Sequence, residues 1–468
     1  MKANSQKTRF HAVSIIILCL TSAIGALGQT FTNLYTFPIN GAASGLVPSG
    51  NVLYGVTEFG GVSGQGSVFS INTDGTGFTT LYSFSTPSGT NSSYGVTNTD
   101  GANPAGTLVL SGTTLYGTAV GGGSSTDGTV FRVNTDGSGF TNLHNFSGTD
   151  GVTPLAGVVL SGNTLYGTTW HGGIGAGNVF AINTDGSGFQ VLYAFTNNAD
   201  GFGPIARLAV SGNVLYGTTQ YGGSWNSGTI FAIDTDGTSF TNLHNFSARN
   251  YSTNSDGANL QDGLTVSGGT LYGMAAYGGA AGNGTIFKLN TDGTGFSTLY
   301  NFSPAVDYVN GDGELPLGGL VLSGDTLYGT ADLGGTVGDG TVFQLKTEGS
   351  GFQVLYTFAG GSDGYGPAGV TLSGNALYGI SFGSSGHARI FSLTLPSTSG
   401  PRLGITLSGS NVLLTWPTNV AGLILQSTPN LTAPAAWTPV SPGPVVVNGL
   451  NTVTNPMSSA QQFYRLTQ

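Results

Sequence analysis

Residues 158–195 read VVLSGNTLYGTTWHGGIGAGNVFAINTDGSGFQVLYAF and contain one complete copy of the unit that decides the fold. The unit divides into four short apolar runs, which we name strands a to d. Strand a ends in Ser-Gly, strand b carries Leu-Tyr-Gly, strand c carries Val-Phe and ends in Asn-Thr-Asp-Gly, and strand d runs from Phe to Phe. Gly and Asp-Gly at such junctions are typical of tight hairpin turns. The unit therefore predicts a four-stranded antiparallel sheet.

The unit is repeated along the chain, with intervals of 62, 50, 50, 56, 56 and 50 residues between successive Leu-Tyr-Gly triplets. An internal period near 50 residues indicates a repeat architecture, and kelch-type propeller blades have about this length. Strands c and d are apolar on both alternating faces, so each sheet has to be stacked between neighbours, as propeller blades are. The seven triplets have their tyrosines at Tyr54, Tyr116, Tyr166, Tyr216, Tyr272, Tyr328 and Tyr378.

The two ends of the repeat array are incomplete in complementary ways. A lone strand d, residues 31–37, precedes the first unit, and the last unit stops near Leu395 after its strands a, b and c. If the first strand completes the last sheet, every strand type occurs seven times and no sheet edge is left open. The sequence therefore predicts an all-β fold with a seven-bladed β-propeller closed by its N-terminal strand. An open β-solenoid is the alternative, but it gives no reason for the ends to match.

The remaining segments predict export and a second, smaller domain. Residues 1–28 combine basic residues with an apolar run and small residues before Gln29, which is typical of a signal peptide. Residues 29–396 then form the propeller, and 397–402, rich in Pro, Ser and Gly, form a linker. Residues 403–468 alternate like short strands and predict a small β-sandwich-like domain, serving as an anchor, a sorting signal or an accessory.

The charge and cysteine content exclude several classes of function. Removing the three basic residues of the leader from the chain's 11 leaves 8 against 21 acidic residues, a net charge of −13. This charge argues against nucleic acid and anionic membranes as partners. Cys19, the single cysteine, lies in the leader, so the mature chain has neither disulfides nor thiol chemistry. No later stretch is apolar and long enough to span a bilayer, and we expect a monomer.

The loops between strands b and c and between strands d and a carry the variation among repeats, and we call the surface that they form the loop face. Length varies at the d–a loops 85–106, 247–263 and 303–318. Variation at one face of a rigid scaffold favours a binding surface, although neutral drift gives the same pattern. Aromatic rings there suit sugar rings or a protein partner, and packing of the loops is the alternative. The candidate ligand-binding residues are Trp170, His171, Tyr221, Trp225 and Tyr277.

An Asp-Gly pair recurs in the d–a loops and suggests a second kind of site. These loops lead into the innermost strand, so their carboxylates are candidates for a ring at a channel mouth that binds Ca²⁺ weakly. The alternative is that Asp-Gly only makes the turn. The candidate metal ligands are Asp100, Asp150, Asp200, Asp256, Asp312 and Asp363, with Asn40 at the first such position.

Signals for catalysis are few. His144 and His244 replace the tyrosine of strand d and are expected to be packing residues, which leaves His171 and His387 without metal-ligand spacing. Neither a Gly-x-Ser-x-Gly elbow nor a phosphate-binding loop is present. A glycoside hydrolase or lyase needs only two placed carboxylates, so an enzyme stays an alternative. We expect no cofactor apart from the candidate Ca²⁺.

In their fixed order, the elements Leu-Tyr-Gly-Thr-Thr, Gly-Gly, Gly-Thr-Val-Phe, Asn-Thr-Asp-Gly and Phe-Thr-Asn-Leu resemble the Gloeo/Verruco-type tandem repeat of exported bacterial proteins over residues 31–395. The last unit departs from it, with Ser381-Phe382-Gly383 in place of Gly-Gly. The resemblance implies a secreted or cell-surface bacterial protein and brings no assigned chemistry. Together these features predict a non-catalytic propeller that binds an extracellular polysaccharide or protein. The alternatives are a structural cell-envelope repeat protein and a polysaccharide-active hydrolase or lyase.

Overall fold

The computed structural model describes most of the chain, and every secondary-structure element in the described part is a β-strand. The predicted signal peptide, the linker 397–402 and Asn40 lie outside the described residues. None of the described residues belongs to a helix that is long and apolar enough to cross a membrane. The described residues are 29–38, 43–91, 95–173, 175–196, 199–383, 386–395, 403–408, 411–417, 423–429, 436–447, 450–456 and 462–467.

One compact unit spans Thr30–Thr394 and contains seven antiparallel sheets, I to VII, which follow the predicted order of strands a to d. The strands of this unit begin with β1 (Phe31–Thr36). Sheet I contains β2 (Ala43–Ser49), β3 (Val52–Thr57), β4 (Ser67–Asn72) and β5 (Thr79–Ser83). A two-stranded ribbon, β6 (Gly89–Asn91) and β7 (Gly95–Thr97), lies in the d–a loop that follows. Sheet II contains β8 (Ala102–Pro104), β9 (Val109–Ser111), β10 (Thr114–Gly121), β11 (Thr129–Asn134) and β12 (Thr141–Asn145).

The next three sheets have four strands each. Sheet III contains β13 (Val159–Ser161), β14 (Thr164–Thr169), β15 (Asn178–Asn183) and β16 (Gln190–Ala194). Sheet IV contains β17 (Ala209–Ser211), β18 (Val214–Thr219), β19 (Thr229–Asp234) and β20 (Thr241–Asn245). Sheet V contains β21 (Thr265–Ser267), β22 (Thr270–Ala275), β23 (Thr285–Asn290) and β24 (Ser297–Asn301).

The last two sheets complete this unit. Sheet VI contains β25 (Glu314–Ser323), β26 (Thr326–Leu333), β27 (Thr341–Lys346) and β28 (Gln353–Thr357). Sheet VII contains β29 (Val370–Ser373), β30 (Ala376–Phe382) and β31 (Ala388–Thr394), and its fourth strand is β1. The pairing of β1 with β31 is antiparallel, from Phe31 opposite Leu393 to Thr36 opposite Arg389. The first strand therefore supplies the strand d that the last unit lacks, as the incomplete ends predict.

Each sheet packs on the next through buried apolar side chains. Between sheets II and III, for example, Phe146 and Phe180 lie in one cluster, with ring centroids 5.2 Å apart. On β1, Phe31 stacks on Tyr356 of sheet VI at 4.3 Å and on Phe391 of sheet VII at 5.3 Å. A further cluster joins sheet VII to sheet I through Ile390 and Phe69. The last sheet, sheet VII, therefore packs on the first, sheet I.

The Leu-Tyr-Gly triplet is explained by this packing. In sheet III, Leu165 is fully buried and Tyr166 is 7% exposed. Gly167 lies opposite Phe180 of strand c, and a Cβ atom at Gly167 would lie 2.5 Å from the Cζ atom of that ring. The Phe ring therefore covers the glycine directly, and any side chain there would push the ring out of the core.

A second compact unit contains the described residues that follow Thr394. One sheet has the order β32-β33-β37-β36 and the other the order β35-β34-β38. Trp416 and Leu414 are the most deeply buried side chains of its apolar core. The strands are β32 (Gly404–Ser408), β33 (Asn411–Pro417), β34 (Ile424–Thr428), β35 (Thr438–Pro439), β36 (Val445–Val447), β37 (Leu450–Pro456) and β38 (Phe463–Thr467).

Candidate functional site: the loop face

Exposed apolar side chains of the unit Thr30–Thr394 are concentrated at the loop face. Among the described residues of this unit, Val191 on β16 is the single large exposed apolar side chain elsewhere. The seven b–c loops and the d–a loops all leave the sheets at the same end, because neighbouring strands are antiparallel throughout. The residues concerned are Phe59, Val62, Trp225, Tyr251, Tyr277, Val306, Tyr308, Val309, Val337 and Tyr365.

Four rings form a continuous row across sheets III and IV, which we call the aromatic row: Trp170, His171, Phe202 and Tyr221. Successive ring centroids are 4.4 Å, 5.8 Å and 6.0 Å apart. Backbone pairing sets this spacing, because Phe202 and Tyr221 each donate an N–H to the other's carbonyl, at 2.9 and 3.0 Å. The row brings together three of the five candidate residues.

Phe202 was missed by the sequence analysis, as was Tyr365 in the corresponding loop of sheet VII. Each follows an Asp-Gly pair and forms an isolated bridge with an aromatic residue of the next b–c loop, Phe202 with Tyr221 and Tyr365 with Phe382. The signal was present in the sequence as a second aromatic 17 to 19 residues before the b–c loop position. It has meaning only once the two loops are known to pair.

The remaining candidate residues differ in how much of each side chain is exposed to solvent. Trp225 is 62% exposed and Tyr277, on sheet V, is 39% exposed, so both present ring surface. Trp170 is half-buried: its indole Nε1 is fully covered and forms no hydrogen bond to any described residue. A Cβ atom at Gly203 would lie 3.1 Å from this nitrogen, so the indole packs on the neighbouring loop. The other three rings of the aromatic row are half-buried as well.

The aspartates of the Asp-Gly pairs have a structural task. Asp312 Oδ2 accepts hydrogen bonds from the Tyr300 hydroxyl at 2.7 Å and from the Ser303 N–H and hydroxyl at 2.9 and 2.8 Å. Asp100 and Asp363 bind Tyr82 and Tyr356 in the same way, at 2.7 and 3.0 Å. We call this arrangement the aspartate clasp, since it fixes the d–a loop to the end of strand d.

The predicted ring of carboxylates at a channel mouth stays a prediction. Each of the residues Asp100, Asp150, Asp200, Asp256, Asp312 and Asp363 contacts a side chain of its own strand d. In the described part of the chain, no three His, Cys, Asp or Glu side chains converge as metal ligands. Calcium binding at these aspartates stays a prediction without a converging set of ligands.

Histidine replaces tyrosine in two of the clasps. His144 Nε2 lies 3.0 Å from Asp150 Oδ2, and its ring stacks on Phe189 with centroids 3.6 Å apart. His244 Nε2 lies 3.1 Å from Asp256 Oδ2 and stacks on Phe296 at 3.9 Å. The expected packing role is therefore combined with a polar contact. Burial lowers the pKa of His144, and the neighbouring Asp150 offsets part of that effect.

The His144 clasp predicts a pH dependence of stability. Because burial lowers the pKa of His144 below its unfolded value of about 6.5, the unfolded chain binds the proton more readily. This contribution to stability is therefore present above pH 6.5 and is lost as the pH falls below it. We expect His144→Tyr, the residue of the other clasps, to weaken the fall in unfolding free energy between pH 7 and 5 in urea titrations. Equal falls in the two proteins would contradict this role.

A backbone contact locks each loop to the preceding sheet. Two residues after Asp-Gly, the chain adopts a positive φ, for example +59° at Thr153, and its N–H donates to Asp127 of sheet II at 3.0 Å. This conformation is unusual for residues other than glycine and persists only where the surroundings impose it. The loop face is therefore a preorganised surface. The equivalent donors are Asn103, Thr153, Gly203, Asn259, Leu315 and Gly366.

The repeat of this chain matches a known protein family. A family model described as Gloeobacter/Verrucomicrobia repeat matches residues 93–254 and 175–392. No curated protein is similar in sequence.

Among solved structures, a puromycin-hydrolyzing peptidase of Mycobacterium tuberculosis is 13% identical with a TM-score of 0.48, and 81% of this chain spans 58% of that one. An oligogalacturonate lyase in complex with manganese is 9% identical with a TM-score of 0.45, covering 80% of this chain and 95% of that one. A putative 6-phosphogluconolactonase from Bacteroides uniformis is 14% identical with a TM-score of 0.45, covering 92% and 100%. These TM-scores are too low to carry an argument about activity.

Proposed function

Because the chain belongs to the Gloeobacter/Verrucomicrobia repeat family, we propose that it is an exported, non-catalytic β-propeller of seven blades that binds an extracellular polysaccharide through its loop face. Export follows from the signal peptide predicted at residues 1–28. The single observation that carries the binding role is the concentration of exposed rings and apolar side chains at the loop face.

The propeller is supported by the order of the sheets and by the central space that they leave. A cavity of about 950 Å³ is lined by residues from the innermost strand region of each of the seven sheets, from Gly45 in sheet I to Thr371 in sheet VII. The pairing of β1 with β31 leaves sheet VII with four strands, as in the other repeats. An open solenoid would not bring the first strand to the last sheet. We therefore take the seven sheets as seven blades around one axis.

A polysaccharide is favoured over a protein by the shape and chemistry of the surface. The half-buried rings of Phe202 and Tyr221 lie in one row at 6.0 Å, and the exposed Trp225 lies in the same b–c loop as Tyr221. Flat aromatic rings suit the C–H faces of sugar units, and an extended row suits a chain of them. Because the locked loops need no ordering on binding, little conformational entropy is lost.

Binding is tested by a pull-down of the mature protein, residues 29–468, on cellulose, chitin, xylan and alginate. We expect retention on one glycan, and at least a tenfold weaker retention for Tyr221→Ala/Trp225→Ala, because the double change removes two of the ring surfaces. The matched control is Val191→Ala, an apolar residue that is 38% exposed but lies on β16 outside the loop face. No retention on any of the glycans would overturn the polysaccharide proposal and favour a protein partner or a structural role in the cell envelope.

The enzymatic alternative, a hydrolase or lyase, needs an acidic group near the loop face, and Glu314 on β25 and Asp332 on β26 are the candidates. Because Glu314 pairs with Leu333, the residue next to Asp332, the two side chains lie on opposite faces of the sheet. Burial raises the pKa of both carboxyl groups, as a general acid requires. Reducing sugar released in the same pull-down tubes, and abolished by Asp332→Asn, would replace the non-catalytic proposal with this one.

A further inference from the structure

The innermost strands are built from small residues at the level where neighbouring sheets touch. Four positions before the Ser-Gly that ends strand a, five of the seven repeats have glycine and one has Thr107. A Cβ atom at Gly157 would lie 1.9 Å from the carbonyl oxygen of Thr107 in sheet II, so the backbones are in contact there. At Gly157 the fold therefore leaves no room for a side chain. The five glycines are Gly45, Gly157, Gly263, Gly319 and Gly369.

Two residues depart from this rule, on neighbouring sheets and with opposite charge. Arg207 of sheet IV occupies the glycine position. Asp262 of sheet V occupies the position before it, which holds Gly, Ala or Ser in the other repeats. Gly263, next to Asp262, abuts the carbonyl of Arg207, since a Cβ atom there would lie 2.4 Å from that oxygen. The two departures therefore lie close together on the wall of the central cavity.

Arg207 is anchored by one hydrogen bond, and most of its N–H donors have no acceptor among the described residues. Its Nε donates to the carbonyl oxygen of Val158 in sheet III at 3.1 Å, and its guanidinium forms no other hydrogen bond or ion pair with a described residue. Arg207 is half-buried, and burial lowers its pKa. A guanidinium without a counter-ion in such a place favours an anionic ligand, and a carboxylate offers it two parallel hydrogen bonds.

Asp262 lines the same cavity from sheet V. Burial raises the pKa of its carboxyl group to about 6. It forms no ion pair with Arg207 or with any other described residue. Near neutral pH it is therefore an acceptor for a ligand hydroxyl. The remaining charged residue of the lining is Asp332, on β26 of sheet VI.

We propose that the central cavity binds a hydroxylated monocarboxylate of sugar-acid size, with its carboxylate on Arg207 and a hydroxyl group donating to Asp262. The cavity volume of about 950 Å³ lies within the range of small-molecule sites, and its lining contains a charged side chain from each of two neighbouring sheets, Arg207 and Asp262. This site is distinct from the aromatic row and does not depend on polysaccharide binding.

The probe for this site is D-glucuronate, with D-glucose as the control that lacks the carboxylate. Saturation-transfer NMR and a titration at pH 7 with the mature protein are expected to show binding of glucuronate and at least tenfold weaker binding of glucose. The variants Arg207→Gly and Asp262→Ala restore residue types that other repeats carry at these positions, so the fold tolerates them. We expect each to weaken glucuronate binding at least tenfold, while retention on the glycan of the loop face is unchanged.

The proposal is overturned if the wild-type protein does not bind glucuronate, if glucose binds equally well, or if both variants bind glucuronate like the wild type. The melting temperature of each variant, measured without ligand, separates lost binding from lost structure. Because neither variant alters Tyr221 or Trp225, failure of this proposal is distinguishable from failure of the loop-face proposal.

Discussion

Gly157→Ala is expected to destabilise the protein by at least about 3 kcal/mol, the upper range of overpacking at a well-packed site. The new Cβ atom would lie 1.9 Å from the Thr107 carbonyl oxygen and 2.8 Å from its carbonyl carbon. Both are backbone atoms of sheet II, so no rotamer change relieves the clash. Sheets II and III would have to separate, which would open the cluster that contains Phe146 and Phe180.

The measurement is the free energy of unfolding from urea titrations of both proteins. Gly311→Ala is the matched control, because a Cβ atom there meets nothing within 4 Å and the backbone has no positive φ. We expect this control to change stability by less than about 0.5 kcal/mol. A Gly157→Ala protein as stable as the control would show that sheets II and III do not touch through their backbones.

Removing an aspartate clasp is expected to have a similarly large effect. Asp312 is 6% exposed, and Asp312→Ala leaves the Tyr300 hydroxyl and the Ser303 N–H without their acceptor. Hydrogen bonds to a charged acceptor contribute about 1.5–3 kcal/mol each, and an unsatisfied buried donor is costly, so we expect a loss of about 3 kcal/mol. Asp292→Ala is the control, since Asp292 forms comparable bonds to Thr294 in an exposed turn.

A loss in Asp312→Ala no larger than in Asp292→Ala would contradict the clasp. Melting temperatures of the wild type and of Asp312→Ala also test whether the clasp aspartates bind calcium. If millimolar Ca²⁺ raised the melting temperature of the wild type but not of Asp312→Ala, the aspartate would hold a cation as well as the loop. Under the clasp alone, Ca²⁺ leaves both melting temperatures unchanged.

Repeat spacing was sufficient to predict most of the fold. Leu-Tyr-Gly occurs once in each of the seven sheets because Leu and Tyr fill the core and Gly makes room for the strand-c Phe. The pairing of β1 with β31 followed from counting strands, since a sheet edge left open is unfavourable. These features are local in sequence or repeated seven times, so a single chain is enough to reveal them.

The candidate site was predicted less completely, because it depends on contacts between loops. Phe202 joins the aromatic row through a bridge to Tyr221, 19 residues away, and no period in the sequence marks that pair. The clasp was missed for a related reason: Tyr82 lies 18 residues from Asp100, whereas Tyr356 lies 7 residues from Asp363. Because the loops differ in length, the same Tyr–Asp contact occurs at different sequence separations, and no fixed spacing reveals it. Without that contact, the Asp-Gly pairs suggested a metal site.

The loop face and the central cavity both require that the ring of sheets be closed by the N-terminal strand. A Thr32→Cys/Ser392→Cys variant of residues 29–468 tests this closure directly, because the two residues lie opposite each other on β1 and β31 and this stretch contains no cysteine of its own. On mild oxidation, our account predicts an intramolecular disulfide. The protein would stay monomeric, its mass would be two hydrogens lower than that of the reduced variant, and no free thiol would remain. Persistent free thiols, or disulfide-linked dimers only, would show that the first strand does not complete the last sheet.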